Sequence, residues 1–183
     1  AWTITSDLEA ITSTDEQLVA TLAGTHTITV SATHQNKDFS AIATLEVVAA
    51  DVASLELSVS PDTIEAGQKA IWSLSAADAY GNAASWDDAA ITATGLTIVA
   101  DSVTGTVAGA HTLVATLGDA TDSTTVTVEA SETANVALAL TPDSGLQPGG
   151  TAVANVALTD VYGNETDDSW TLSVIGGTSD IDG

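Results

Sequence analysis

The chain has 183 residues, with 25 acidic against 2 basic side chains, 44% hydrophobic residues, no cysteine and no methionine. A net charge of −23 argues against nucleic-acid and anionic-membrane partners, which need basic surface. The lack of Cys excludes disulfide scaffolds, thiolate metal sites and thiol nucleophiles. Disorder is disfavoured because only 15% of residues are charged, and no apolar run approaches the roughly 18 residues that span a bilayer as a helix. The opening Ala1 points to a processed or truncated start.

Along the chain the apolar residues recur with period two, the mark of half-buried strands, and helical periodicity is absent. Trp2 opens AWTIT, which matches SWTLS around Trp170. The stretch 16–32 (EQLVATLAGTHTITVSA) aligns without gaps on 101–117 (DSVTGTVAGAHTLVATL), setting Gly24 on Gly109 and His26 on His111. Leu55, Leu57 and Val59 then alternate with Ser54, Glu56 and Ser58, and this LELSVSPD returns as VALALTPD at 136–143, with Pro61 on Pro142. Ala70, Trp72, Leu74 and Ala76 make a second face. It ends in the turn DAYGN (78–82), which recurs as DVYGN (160–164), and a Trp follows each turn, Trp86 and Trp170. Short strands are expected after Trp86, at 96–99, and in a run holding Val103 and Val107. Two longer ones carry His111, Leu113 and Ala115, then Val126 and Val128. Glycine with Asp or Asn punctuates these runs at Gly67, Gly81-Asn82, Gly95, Gly109 and Gly118-Asp119. About seven strands in roughly 80 residues is the count of a constant-type immunoglobulin-like sandwich.

The repeats divide the chain. Residues 51–130 read as one complete module, 1–50 as the C-terminal part of a preceding one, and 131–183 as the N-terminal part of the next. The L-x-L-x-V-x-P opening strand, the D-x-Y-G-N turn and the A-G-x-H-T-[IL] strand with its terminal V-x-V resemble the bacterial immunoglobulin-like repeats of invasin- and intimin-type surface adhesins. The resemblance implies an all-β fold of tandem immunoglobulin-like sandwiches on an extracellular or cell-surface protein. Such a fold does not by itself fix a function.

Candidate chemistry is sparse. His26 and His111 sit where the sandwich's corner tyrosine would lie, which assigns each ring a bond to a nearby backbone group rather than catalysis. His34 is expected to be exposed. Trp2, Trp86 and Trp170 take the third-strand position of a core Trp, with Trp72 as added core filling. In the D-x-Y-G-N turns Gly supplies a positive φ while Asp and Asn bond their own backbone. In the complete module Asp78 and Asn82, Asp119 and Asp122 of the last hairpin, and Asp51 of the linker could converge at one pole and chelate Ca²⁺, which takes 6–8 oxygen ligands. Glu129 and Glu132 with Asp160 form a second such set at the next linker. Asn164-Glu-Thr166 fits a glycosylation sequon, yet its place in a turn explains it.

Enzyme signatures are missing: no phosphate-cradling loop, no H-E-x-x-H and no G-x-S-x-G elbow. The expected role is therefore a non-enzymatic stalk of immunoglobulin-like repeats, partnered by its neighbouring modules, with no cofactor required and calcium as a stiffener of the junctions. A second reading is a homopolymer, in which half-modules of neighbouring chains complete one another head to tail. A carbohydrate-binding module ranks last, since one Phe and two Tyr make no exposed aromatic row. With Lys37 and Lys69 alone offsetting the carboxylates, self-repulsion should weaken the fold at low ionic strength, so a saline or calcium-containing exterior suits it.

Overall fold

A computed structural model describes the backbone of residues 2–6, 11–14 and 17–175 and the side chains of 18–175. The described residues contain strands and turns only, and the fold is all-β and immunoglobulin-like. The first strands are β1 (Trp2–Ser6), β2 (Ile11–Thr14), β3 (Gln17–Ala20), β4 (Gly24–His34) and β5 (Lys37–Val47). Here β1-β4-β5 form one antiparallel sheet, and β2 pairs with β3.

Eight strands follow: β6 (Val52–Ser60), β7 (Thr63–Glu65), β8 (Lys69–Asp78), β9 (Ala90–Ala93), β10 (Thr97–Val99), β11 (Ser102–Thr104), β12 (Gly109–Leu117) and β13 (Ala120–Glu129). They form two four-stranded sheets, ordered β10-β11-β8-β6 and β7-β13-β12-β9. One strand exceeds the sequence expectation because the opening strand breaks. Pro61 offers no N–H to a ladder, and beyond it β7 pairs in parallel with β13 of the other sheet. Without β7 the partition is four strands facing three, that of a constant-type immunoglobulin sandwich. Lastly β14 (Asn135–Thr141) pairs antiparallel with β15 (Val153–Thr159).

By contact density the chain forms two compact units that cross the repeat boundaries. The first comprises Ala1–Val59, Trp72–Ala93 and Thr112–Thr124. Its described core is Ile28, Leu57, Leu74, Ala76, Leu113, Ala115 and Ala120. The second comprises Ser60–Ile71, Thr94–His111 and Thr125–Gly183, with Ile64, Ala66, Ala70, Val103, Val126, Val128 and Leu158 buried. Alternation puts these residues inward: β13 reads exposed and buried by turns through Val126 and Val128, and β12 does so through Leu113 and Ala115.

The tryptophans depart from expectation. Trp86 is 38% exposed and Trp170 is 40% exposed. Both lie in irregular chain, and after Trp86 the strand begins only at Ala90. Trp86 instead meets Trp72 edge to face, ring centroids 6.3 Å apart. The core role expected of Trp2 falls on a side chain outside the described residues. Val107 falls outside the run expected to hold it with Val103, since β11 ends at Thr104, and it is 61% exposed.

Candidate functional site

The two D-x-Y-G-N turns are densely hydrogen-bonded, and each grips distant backbone. In both, the glycine adopts the left-handed φ the turn requires, +85° at Gly81 and +90° at Gly163. The turn closes through Asp78 N–H to Asn82 O (3.0 Å) and Gly81 N–H to Asp78 O (3.1 Å). The second copy repeats this through Asp160 N–H to Asn164 O (2.9 Å) and Gly163 N–H to Asp160 O (3.2 Å). Short bridges, Ala77 with Ala83 and Thr159 with Glu165, fix each base.

Closure aims the side chains. Asp78 Oδ1 accepts the N–H groups of Tyr80 and Asn82, each at 2.9 Å. Its Oδ2 accepts Asn82 Nδ2–H at 2.8 Å and the N–H of Ala50, in the segment leading into β6, at 3.0 Å. Asn82 then reaches further back. Its Oδ1 accepts Ala23 N–H (2.8 Å) and its Nδ2 donates to Thr21 O (2.9 Å). The carbonyl between those two contacts, Leu22 O, accepts His26 Nε2–H at 2.7 Å. The segment 21–23 is thus held by consecutive backbone groups.

The second copy repeats each of these bonds and adds one from the Ser131 hydroxyl to Asp160 Oδ2 at 3.3 Å. Asp160 Oδ1 accepts Tyr162 N–H (2.9 Å) and Asn164 N–H (2.8 Å). Its Oδ2 accepts Asn164 Nδ2–H (2.7 Å) and Ser131 N–H (3.0 Å). Asn164 bonds Ala108 N–H through Oδ1 (2.8 Å) and Thr106 O through Nδ2 (2.9 Å). His111 Nε2–H donates to Val107 O at 2.7 Å. Both histidines therefore make the backbone bond expected of corner residues. A carbonyl only accepts, so each ring carries its proton on Nε2. His34 is exposed, as expected.

Electrostatics follow from these donors. The Asp78 carboxyl is pulled down to about 2, chiefly by the Asn82 amide and then by N–H groups of Ala50, Asn82 and Tyr80, which outweigh its desolvation. Desolvation is the largest influence on Asp160 and pushes it up, but the Asn164 side chain and the N–H groups of Ser131, Asn164 and Tyr162 prevail and hold it well below the usual carboxylate range. A fully buried carboxylate survives only with its lone pairs satisfied, and here each oxygen has at least two donors.

Of the five residues expected to share a cation, the structure joins two. Asp78 and Asn82 touch. Asp51 and Asp119 are exposed, the latter in the β12–β13 turn. Asp122 accepts Leu57 N–H (2.7 Å) and Ser123 N–H (2.8 Å), bonds that lower its pKa and tie β13 to β6. Among the described residues no three His, Cys, Asp or Glu side chains gather as a metal ion would need. At the next linker Asp160 meets Ser131 and Asn164, while Glu129 is exposed. Both Asn164 amide hydrogens are engaged, which leaves the sequon's side chain with a structural task.

Sequence reasoning did not find the gripped backbone at 21–23, 50, 106–108 and 131. The one signal for it is that each D-x-Y-G-N turn has its own upstream A-G-x-H strand, beginning directly after the gripped Ala23 or Ala108.

No protein-family profile and no curated protein sequence matches the chain. Solved structures do. Yersinia pseudotuberculosis InvD is 21% identical, with a TM-score of 0.50, over 91% of this chain and 61% of that one. The Escherichia coli adhesin FdeC is 23% identical, with a TM-score of 0.53, over 89% and 62%. The surface layer protein SbsC, domains 1–6, aligns at 22% identity with a TM-score of 0.39, over 90% and 26%. The chain spans about three fifths of the length of the InvD and FdeC structures. The likeness to those two shows a shared immunoglobulin-like fold.

Proposed function

We propose that the chain is a non-enzymatic structural or adhesive segment of a long extracellular bacterial surface protein, a stalk of immunoglobulin-like modules with residues 51–130 as one complete module. The observation that carries this reading is the duplicated clamp. Asp78 with Asn82, and Asp160 with Asn164, each tie a turn to the linker ahead of its module and to the loop before the preceding His strand. A linker pinned to the turn by its own N–H bends less than a free one, and modules that contact chiefly their neighbours can be added or lost without redesign. The likeness in fold to an adhesin accords with this reading.

The test is made on intact cells. An antibody to the chain should label them without permeabilisation, and the polypeptide it detects after denaturation should far exceed 18.3 kDa. Labelling only after lysis would refute the surface assignment. A polypeptide near 18.3 kDa would favour the head-to-tail filament instead. One observation supports that second reading: Val136, Leu138 and Leu140 of β14 are 68%, 53% and 46% exposed, whereas Leu57, in the corresponding β6, is buried. Strands 1–50 of a second copy would cover them.

A further inference from the structure

Each clamp turn also carries a tyrosine, and the two tyrosines differ in their surroundings. Tyr162 lies against Gly67 in the turn after β7. A Cβ on Gly67 would collide with the Tyr162 hydroxyl and come within 2.9 Å of Cζ and 3.0 Å of Cε2. That turn is rigid: Ala66 N–H bonds Glu129 O, Gly67 N–H bonds Gly105 O, both at 2.8 Å, and φ at Gly67 is +87°. Glycine meets two demands here, the left-handed backbone and a bare Cα for the ring to lie on. The ring is aimed by the clamp itself, since Tyr162 N–H is bonded by the same Asp160 that holds Ser131.

Tyr80 occupies the same place in the first turn and is 65% exposed, against 49% for Tyr162. The converse holds at Gly149. Aligning Gly149-Gly-Thr-Ala152 on Gly67-Gln-Lys-Ala70 puts the two glycines together. Gly149 has the same left-handed φ, +83°, but among the described residues no atom beyond its chain neighbours lies within 4 Å of where its Cβ would be. Among the described residues, then, one tyrosine has no glycine seat and one glycine seat has no tyrosine.

We propose that Tyr80 is a docking knob for the left-handed glycine turn of a flanking immunoglobulin-like module, and that Gly149 is the matching seat for the tyrosine of another D-x-Y-G-N turn. The inference rests on the tandem-module reading and adds a third contact to it. Asp holds the linker, Asn holds the loop before the His strand, and Tyr reads the glycine turn. A module with any side chain at that glycine would not fit.

The chain has two tyrosines, so nitration by tetranitromethane can be assigned residue by residue. In the unaltered chain Tyr80 should react several-fold faster than Tyr162, and Gly67→Val should raise Tyr162 to the Tyr80 rate. Extending the chain ahead of Ala1 with a copy of its own residues 51–84, the copied tyrosine replaced by phenylalanine so that two tyrosines remain, supplies a Gly67-type turn. Tyr80 should then slow to the Tyr162 rate, and valine at the added glycine should restore it. Amide exchange at Ala23 and Ala50 reports the clamp in every sample. Tyr80 nitration unchanged by the extension while those amides stay protected overturns this inference alone, whereas fast exchange at those amides in the unaltered chain overturns the tandem reading beneath it. Equal rates for the two tyrosines in the unaltered chain also overturn the proposal. So does protection of Tyr80 in that chain that grows with protein concentration, which would assign the seat to a second copy.

Discussion

Replacing Asn82 by Ala removes three hydrogen bonds without touching the apolar core: Ala23 N–H to Oδ1, Nδ2 to Thr21 O and Nδ2 to Asp78 Oδ2. A neutral hydrogen bond contributes about 0.5–1.5 kcal/mol net, and one to a charged acceptor about 1.5–3. Thr21 and Ala23 are half-buried, so water recovers part of the loss, and the expected cost is about 1–3 kcal/mol. Because Ala23 N–H loses its acceptor, the effect is local before it is global. Hydrogen exchange at Ala23 should accelerate by about 5- to 150-fold, at 1.4 kcal/mol per decade, while Leu113 N–H in the core should change only with global stability. Asn82→Asp is the sharper variant. It keeps an acceptor for Ala23 N–H but loses both Nδ2 donors and sets a second carboxylate against Asp78, so it should destabilise more than Ala. Unchanged exchange at Ala23 in Asn82→Ala, or an Asn82→Asp chain as protected as the parent, would refute the clamp.

The turn should also fail in acid in a defined window. Asp78 titrates at about 2 in the fold against 3.8 for an unperturbed aspartate, so its contribution is complete above 3.8 and is lost as pH falls through about 2. Exchange protection at Ala50 N–H, followed by NMR on acidification, should collapse over that interval, and Asp78→Asn should flatten the dependence. Gly95→Val should destabilise by about 1–3 kcal/mol, because its φ is +76° and a Cβ there would collide with His111 Nδ1; a thermal melt unchanged within about 1 °C would contradict that packing. Leu113→Ala should cost about 2–5 kcal/mol and exceed Trp86→Ala, despite the larger side chain, since Leu113 is fully buried and Trp86 is 38% exposed; denaturant unfolding that ranks them the other way would relocate the core. Added CaCl₂ and NaCl at matched ionic strength should raise the melting temperature equally, because the Asp78 oxygens already face N–H donors. A calcium-specific rise would establish the cation site that the acidic residues suggest.

The strands were legible because period-two alternation is a local signal, and β6, β8, β12 and β13 each bury the side that alternation assigned. The break at Pro61 was visible as a residue but not as a change of sheet, since partner choice is set across the fold. The tryptophans fall elsewhere than expected because recurrence does not imply burial; a residue repeated beside every turn can serve the turn's surroundings as well as the core. The clamp was half legible. Asp78 and Asn82 stood out by type and spacing, but their partners are backbone atoms, which every residue carries and no sequence marks. Carboxylates counted together in sequence suggested a cation, whereas the folded chain spends the Asp122 carboxylate on a strand N–H instead.

Recognition through backbone atoms explains how the two clamps can grip different residues through the same bonds. The first clamp holds Thr21, Ala23 and Ala50, the second Thr106, Ala108 and Ser131, and Leu22 is exchanged for Val107 at the carbonyl each histidine holds. None of these changes alters an N–H or a C=O, so side chains on the gripped side are free to vary while Asp, Asn and the turn glycine are not. The arrangement also suits a chain with 2 basic residues against 25 acidic ones. Ion pairs across a junction would need cations that this composition lacks. Peptide N–H groups are donors that carry no net charge, so they can anchor a buried carboxylate at Asp160 without requiring a lysine or arginine. Adding acidic surface to such a module raises its repulsion in dilute salt but leaves the clamp's own donors in place. Salt dependence and junction integrity should therefore be separable in this chain: charge-reversal of exposed carboxylates should change the first, and substitution of Asn82 or Asn164 the second.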